Sequence, residues 1–212
     1  MKNIILIIGA LIIFGNIGYA QDKNTDLREK LKFGLKIGAN YSNVYDSEGE
    51  KFDADAKLGL ATGIFIGIPI GKYLGINPEI LFSQKGFQAT GRILGSDYKF
   101  TRTTNYIDIP IFLALKPIEF VTILLGPQYS FLLKQKDVFT NSLTSFEQEQ
   151  EFDNDNIRKN TLSVAGGIDI NVKHVVVGAR LGLDIQNNNG NGTSATPRYK
   201  NAWYQVTLGY RF

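Results

Sequence analysis

The stretch "YQVTLGYRF", Tyr204 to Phe212, alternates without a break. Tyr204, Val206, Leu208, Tyr210 and Phe212 are apolar, while Gln205, Thr207, Gly209 and Arg211 are polar or lack a side chain. Period two places the first set on one face of a strand and the second on the other. Chain ends fray unless something holds them. A terminal strand closed by an aromatic residue therefore predicts that the end itself is used.

Working back from that strand, the same alternation recurs seven more times. "FGLKIGANYS" puts Phe33, Leu35, Ile37, Ala39 and Tyr41 on one face and Gly34, Lys36, Gly38, Asn40 and Ser42 on the other. Further apolar faces are carried by Leu58–Ile68, Leu74–Phe82, Ile107–Leu115, Val121–Phe131, Leu162–Ile170 and Val175–Leu183. The connections alternate in length. Short ones fall at Gly71-Lys72, Lys116–Glu119 and Val172-Lys173. Long polar ones are expected at Asn43–Lys57, Gly86–Lys99, Lys134–Arg158 and Gln186–Lys200. Tight turns thus gather at one end of a barrel and long loops at the other.

Eight such strands admit two architectures. A lipocalin-like soluble binder turns its apolar face inward, and a membrane barrel turns it toward lipid. A water-exposed sheet face carries many Lys, Glu and Arg residues. Here the mid-strand polar face is mostly Gly, Ser, Thr, Ala, Asn and Gln. Its few charges nearly balance: Lys36, Lys85, Arg180 and Arg211 against Glu79, Asp108, Asp169 and Asp184. An eight-stranded barrel has interior room for side chains and little else, so these groups are expected to pair as a salt-bridge network that fixes register. Phe33, Tyr73, Phe120, Tyr210 and Phe212 fall near the short-turn end, and Tyr41, Phe82, Tyr129, Phe131 and Tyr204 near the other. Two aromatic girdles around an aliphatic band mark the interfaces of a bilayer. The reading is all-β: an eight-stranded antiparallel up-and-down transmembrane β-barrel. Every backbone group in lipid needs a partner, so the last strand must pair with the first. Tyr204, Val206, Leu208, Tyr210 and Phe212 also resemble the C-terminal signal by which the barrel assembly machinery recognises its clients, so that machinery is an expected partner.

The other end of the sequence agrees with export. In "MKNIILIIGALIIFGNIGYAQ", Lys2 precedes an apolar run from Ile4 to Ile17, and Gly18-Tyr19-Ala20 offers a small-residue cleavage site. The run is shorter than a spanning helix requires. Residues 1–20 are read as a signal peptide, 21–32 as a periplasmic lead-in and 33–212 as the barrel. The absence of cysteine excludes disulfides and a lipid-anchored N-terminus. A net charge of +3 with no basic block argues against nucleic acid as a partner.

Six stretches in order carry a family likeness: "FGLKIGANYSNV" (Phe33–Val44), "INPEILFSQKGF" (Ile76–Phe87), "YIDIPIFLAL" (Tyr106–Leu115), "LLGPQYSFLL" (Leu124–Leu133), "AGGIDI" (Ala165–Ile170) and the terminal "YQVTLGYRF". Together they resemble the PorT-like outer-membrane β-barrel family. The resemblance implies the outer membrane of a Gram-negative bacterium and an association with protein secretion, although a shared fold does not carry a function with it.

Enzymatic chemistry is not expected. The sole histidine, His174, lies at a short turn, away from any candidate partner. One histidine without cysteine cannot build a usual zinc set. Gly63, Gly67 and Gly71 are read as making room inside the barrel rather than as a helical dimer motif. Glu147, Glu149, Glu151, Asp153 and Asp155 stud one long loop but lack the glycine and closing glutamate of an EF-hand. No cofactor or metal is expected. The leading functional expectation is a structural or interaction protein whose loops meet extracellular partners. Alternatives are an accessory role in protein secretion, a narrow pore or small-solute transporter, and the soluble binder.

Overall fold

The computed structural model describes residues 26–45, 54–93, 96–141, 145–150, 158–188 and 199–212. The expected signal peptide lies outside them, as do residues 21–25 of the lead-in. After a 3-10 turn at Leu27–Glu29 come β1 (Lys32–Tyr45), β2 (Asp55–Pro69), β3 (Leu74–Ile93), β4 (Ser96–Ile118) and β5 (Val121–Asn141). Then follow β6 (Ser145–Gln150), β7 (Asn160–Val172), β8 (Val175–Asp184) and β9 (Lys200–Arg211). Each of β1 to β5 pairs antiparallel with the next, β5 pairs with β7, and β7, β8 and β9 continue in order. β9 returns to β1, from Gly34↔Arg211 to Tyr45↔Lys200. Eight strands thus close a barrel, and short β6 pairs with β5 outside the ring.

The terminal strand seals that ring. Phe212 N–H donates to the Phe33 carbonyl at 2.8 Å, and Arg211 N–H to the His174 carbonyl at 2.7 Å. Among the described strands, closure pairs both edges of the ring, where lipid cannot hydrogen-bond. The alternation has the inverted sense: Tyr204 and Val206 are 63% and 60% exposed, while Gln205 and Thr207 are each 4% exposed. On β4 the outward apolar face runs from Ile107 to Leu115. That is the span a tilted strand needs to cross a hydrocarbon core, about 9–11 residues. The expected girdle residues are exposed at both ends, apart from half-buried Phe82.

Two of the expected long loops carry strand through their described residues. β3 and β4 remain paired through Phe87↔Arg102 to Ile93↔Ser96, across the region read as the connection Gly86–Lys99. β5 continues to Asn141 and β6 folds back on it, from Gln135↔Gln150 to Thr140↔Ser145. The apolar signal ends at Ile107 because the outward face above it is Thr101, Thr103 and Asn105, suited to water rather than lipid. Period two continues with a polar outer face, which reads as loop when hydrophobicity is the guide.

Aromatic side chains point inward where glycine makes room. A Cβ on Gly182 would stand 2.1 Å from the Trp203 ring, and one on Gly34 2.2 Å from the Phe65 ring. The room-making role expected of Gly71 is not observed, since nothing lies within 4 Å of its Cβ position. This residue belongs to the turn after β2, beyond the packed interior. Phe112, Ala114, Leu124, Ala165 and Trp203 form the apolar core of the barrel lumen.

Candidate functional site: the filled interior and its two mouths

Six of the eight charges expected inside the barrel assemble into two clusters. In the first, Lys36 Nζ on β1 lies 2.7 Å from Glu79 Oε1 on β3. Arg180 on β8 reaches Asp169 Oδ1 on β7 at 2.7 Å and Glu79 at 3.6 Å. One Lys–Glu–Arg–Asp chain therefore crosses the barrel. In the second, Lys85 Nζ on β3 lies 3.0 Å from Asp108 on β4. Both clusters are buried, so each charge needs its partner to offset desolvation.

Aromatic faces complete the cation environments. Lys36 lies 4.8 Å from the Phe65 ring centre, and Arg180 lies 5.4 Å from that of Phe112. Lys85 stands 3.7 Å from the Trp203 ring and 5.1 Å from Tyr106. Such contacts gain strength when the cation is desolvated.

Asp184 and Arg211 are not brought into either cluster. Asp184 accepts hydrogen bonds from Ser163 Oγ and Asn201 Nδ2, both at 2.7 Å. Arg211 donates to the Lys173 carbonyl at 2.7 Å and to Asn171 Oδ1 at 2.9 Å, at the short-turn end. Asp108 pairs with Lys85 rather than Arg180, so Glu79 and Arg180 share one cluster and Asp108 belongs to the other. Neutral bonds occupy the space between, including Asn40 Nδ2 to Ser83 Oγ at 2.9 Å and Gln205 Nε2 to Asn40 Oδ1 at 2.8 Å.

At the long-loop mouth stands a group that sequence reading missed. Arg102 on β4 grips Asp137 on β5 through two bonds of 2.8 and 2.7 Å, and also bonds the Tyr199 hydroxyl. Its guanidinium lies between 5.5 and 5.7 Å from the rings of Phe87, Phe100 and Tyr199. Tyr98 and Phe139 stack one register step farther out, at 5.6 Å. Phe87, Tyr98, Asp137, Phe139 and Tyr199 sit in segments read as polar connections, and Phe100 and Arg102 fall between the Gly86–Lys99 connection and the apolar face that begins at Ile107. The signal that would have found them is the continued inward period of Tyr98, Phe100, Arg102 and Thr104. Of the acidic residues weighed as calcium ligands, Glu147 and Glu149 fall on β6, and Glu151, Asp153 and Asp155 lie outside the described residues.

At the other mouth the N-terminal segment lies across the turns. Arg28 Nη2 meets Asp26 at 2.6 Å and Nη1 donates to the Pro117 carbonyl at 3.2 Å; Lys116 Nζ returns a bond to the Arg28 carbonyl at 2.6 Å. The hydrogen bonds from Arg28 hold the Asp26 carboxyl well below the usual carboxylate range. His174 stacks on Tyr210 at 5.4 Å, and its Nδ1 lies 2.9 Å from the Arg211 carbonyl. It pins the terminal strand.

The sequence matches the family described as outer membrane protein beta-barrel domain over residues 19–191. Among curated proteins none matches. The structure is similar to a major outer membrane protein from Thermus thermophilus, with 13% identity, TM-score 0.51, and coverage of 86% of this chain and 100% of that one. It is also similar to Ail, the attachment invasion locus protein of Yersinia pestis, at 16% identity and TM-score 0.49, covering 85% and 98%. Neisserial surface protein A is 12% identical, with TM-score 0.47 and coverage of 85% and 97%. At these identities the likeness speaks for the fold alone. The chain is an outer-membrane β-barrel protein and belongs to the outer membrane protein beta-barrel domain family.

Proposed function

We propose that this protein acts through its long-loop face as a structural or interaction protein of the cell surface, with the tight turns in the periplasm. The observation that carries this reading is the contrast between a filled interior and an extended exterior. Inside, Phe112, Leu124, Trp203 and two charge clusters occupy the cross-section. Outside the lipid band, paired residues 96–105 of β4 add about 30 Å of strand at the usual rise. A barrel that served only to pass solute would need the opposite distribution.

The blade formed by β3, β4 and β5 is stiffened by Arg102–Asp137 and by the stacked Tyr98 and Phe139 rings, which suits a rigid contact surface. The finer resemblance to PorT-like barrels supports the alternative of an accessory secretion role through periplasmic partners. Deleting residues 89–100 separates the two. The truncated barrel should still migrate faster unboiled than boiled, lose binding to purified surface polysaccharide or to neighbouring cells, and leave secretion unchanged. Impaired secretion with undiminished surface binding would favour the alternative and overturn the proposal. Large single-channel currents from the intact chain would overturn it as well.

A further inference from the structure

We propose that the short-turn mouth is a binding site for a small oxyanion, a phosphate or a carboxylate group. This inference is independent of the surface role proposed above.

The site is a cavity of about 40 Å³ lined by Arg28, Lys30, Lys32, Lys116 and Arg211 together with Asn171 and Asp169. A single buried water needs roughly 10–15 Å³ on this measure, so the space admits a group larger than one water. The charge around it is unbalanced. Asp26 is engaged by Arg28 at 2.6 Å and by Lys72 at 3.3 Å. Asp169 is engaged by Arg180 at 2.7 Å. Lys30, Lys32, Lys116 and Arg211 line the cavity with no acid in ion-pair distance among the described residues.

Like charges crowded into a concave, low-dielectric mouth repel one another and raise the local concentration of counter-ions. Elsewhere in this barrel buried cations have a carboxylate within reach: Lys36, Lys85 and Arg180 are all paired. Arg211, the buried cation of the mouth, departs from that pattern: among the described residues it bonds the Lys173 carbonyl and Asn171 Oδ1 and pairs with no carboxylate. The missing partner is a group with several acceptor oxygens, because the lining offers ammonium and guanidinium donors from different directions. Arg28 and Lys116 are held in place by their reciprocal bonds across the turn, which pre-positions part of the ring. Lys32 opens β1 on the rim and is half-buried.

The test uses the full chain refolded in a detergent without phosphate. Inorganic phosphate is titrated by calorimetry at constant ionic strength in chloride, and acetate is titrated in parallel. The proposal predicts saturable binding that weakens at least tenfold in Lys32→Gln and is unchanged in Lys99→Gln, which lies on the far blade. Lys30→Gln supplies the second rim variant if Lys32→Gln fails to migrate as a folded barrel. Stronger binding of phosphate than acetate assigns the site to phosphate groups, and the reverse assigns it to carboxylates such as those of a periplasmic polymer. No saturable binding of either anion, or undiminished affinity in both rim variants, overturns the proposal.

Discussion

Arg180 holds two carboxylates, and its removal would leave Asp169 alone and Glu79 with Lys36 only. Breaking a buried ion pair from one side costs about 3–5 kcal/mol. Arg180→Ala is expected to destabilise the refolded barrel by about that amount, read as a lower urea midpoint. A midpoint unchanged from the parent would show that the cluster contributes nothing to stability. The sole tryptophan offers a second reading at this scale. Gly182→Val would displace the Trp203 ring, which already occupies the space a Cβ needs, and its emission should move to longer wavelength. Lys173 adopts φ 52° in the β7–β8 turn, a conformation that costs a non-glycine residue roughly 1–2 kcal/mol. Lys173→Gly is therefore expected to raise stability by a fraction of that amount, since glycine also loses more chain entropy on folding.

At the scale of elements, the N-terminal strap depends on Asp26. Its folded carboxyl is held below its ordinary value by Arg28, so the contact is fully present above the usual carboxylate range, near about 3.9. It is lost as pH falls through that range toward the folded value. Amide exchange at residues 27–30 should accelerate on acidification, and Asp26→Asn should produce the fast exchange already at neutral pH. Equal exchange in parent and variant at neutral pH would contradict the strap's dependence on this pair. The blade is the other element with a defined fastening. The transmembrane strands were legible in sequence because lipid demands an unbroken apolar face, as Ile107 to Leu115 shows. The blade was not legible, because Thr101, Thr103 and Asn105 pair as well in water as any loop residue solvates. The cation sites were half legible for the same reason. Alternation put Lys85 and Asp108 inside together, but register decides that Lys85 also meets Trp203, a residue far away in sequence.

At the scale of the whole molecule, barrel and blade divide the work. The lipid-spanning part is closed, filled and carries paired charges. The part beyond the lipid is a paired sheet with a polar outer face and an aromatic inner one. That division requires the long-strand end to face outward from the cell. The absence of native cysteine makes it directly measurable, since any introduced thiol is unique. The decisive measurement is labelling of Thr101→Cys and Lys72→Cys in intact cells with a membrane-impermeant maleimide. The account predicts that position 101 is labelled in whole cells and position 72 only after the outer membrane is permeabilised. Labelling of position 72 in intact cells, with position 101 protected, would place the blade in the periplasm and contradict a surface role.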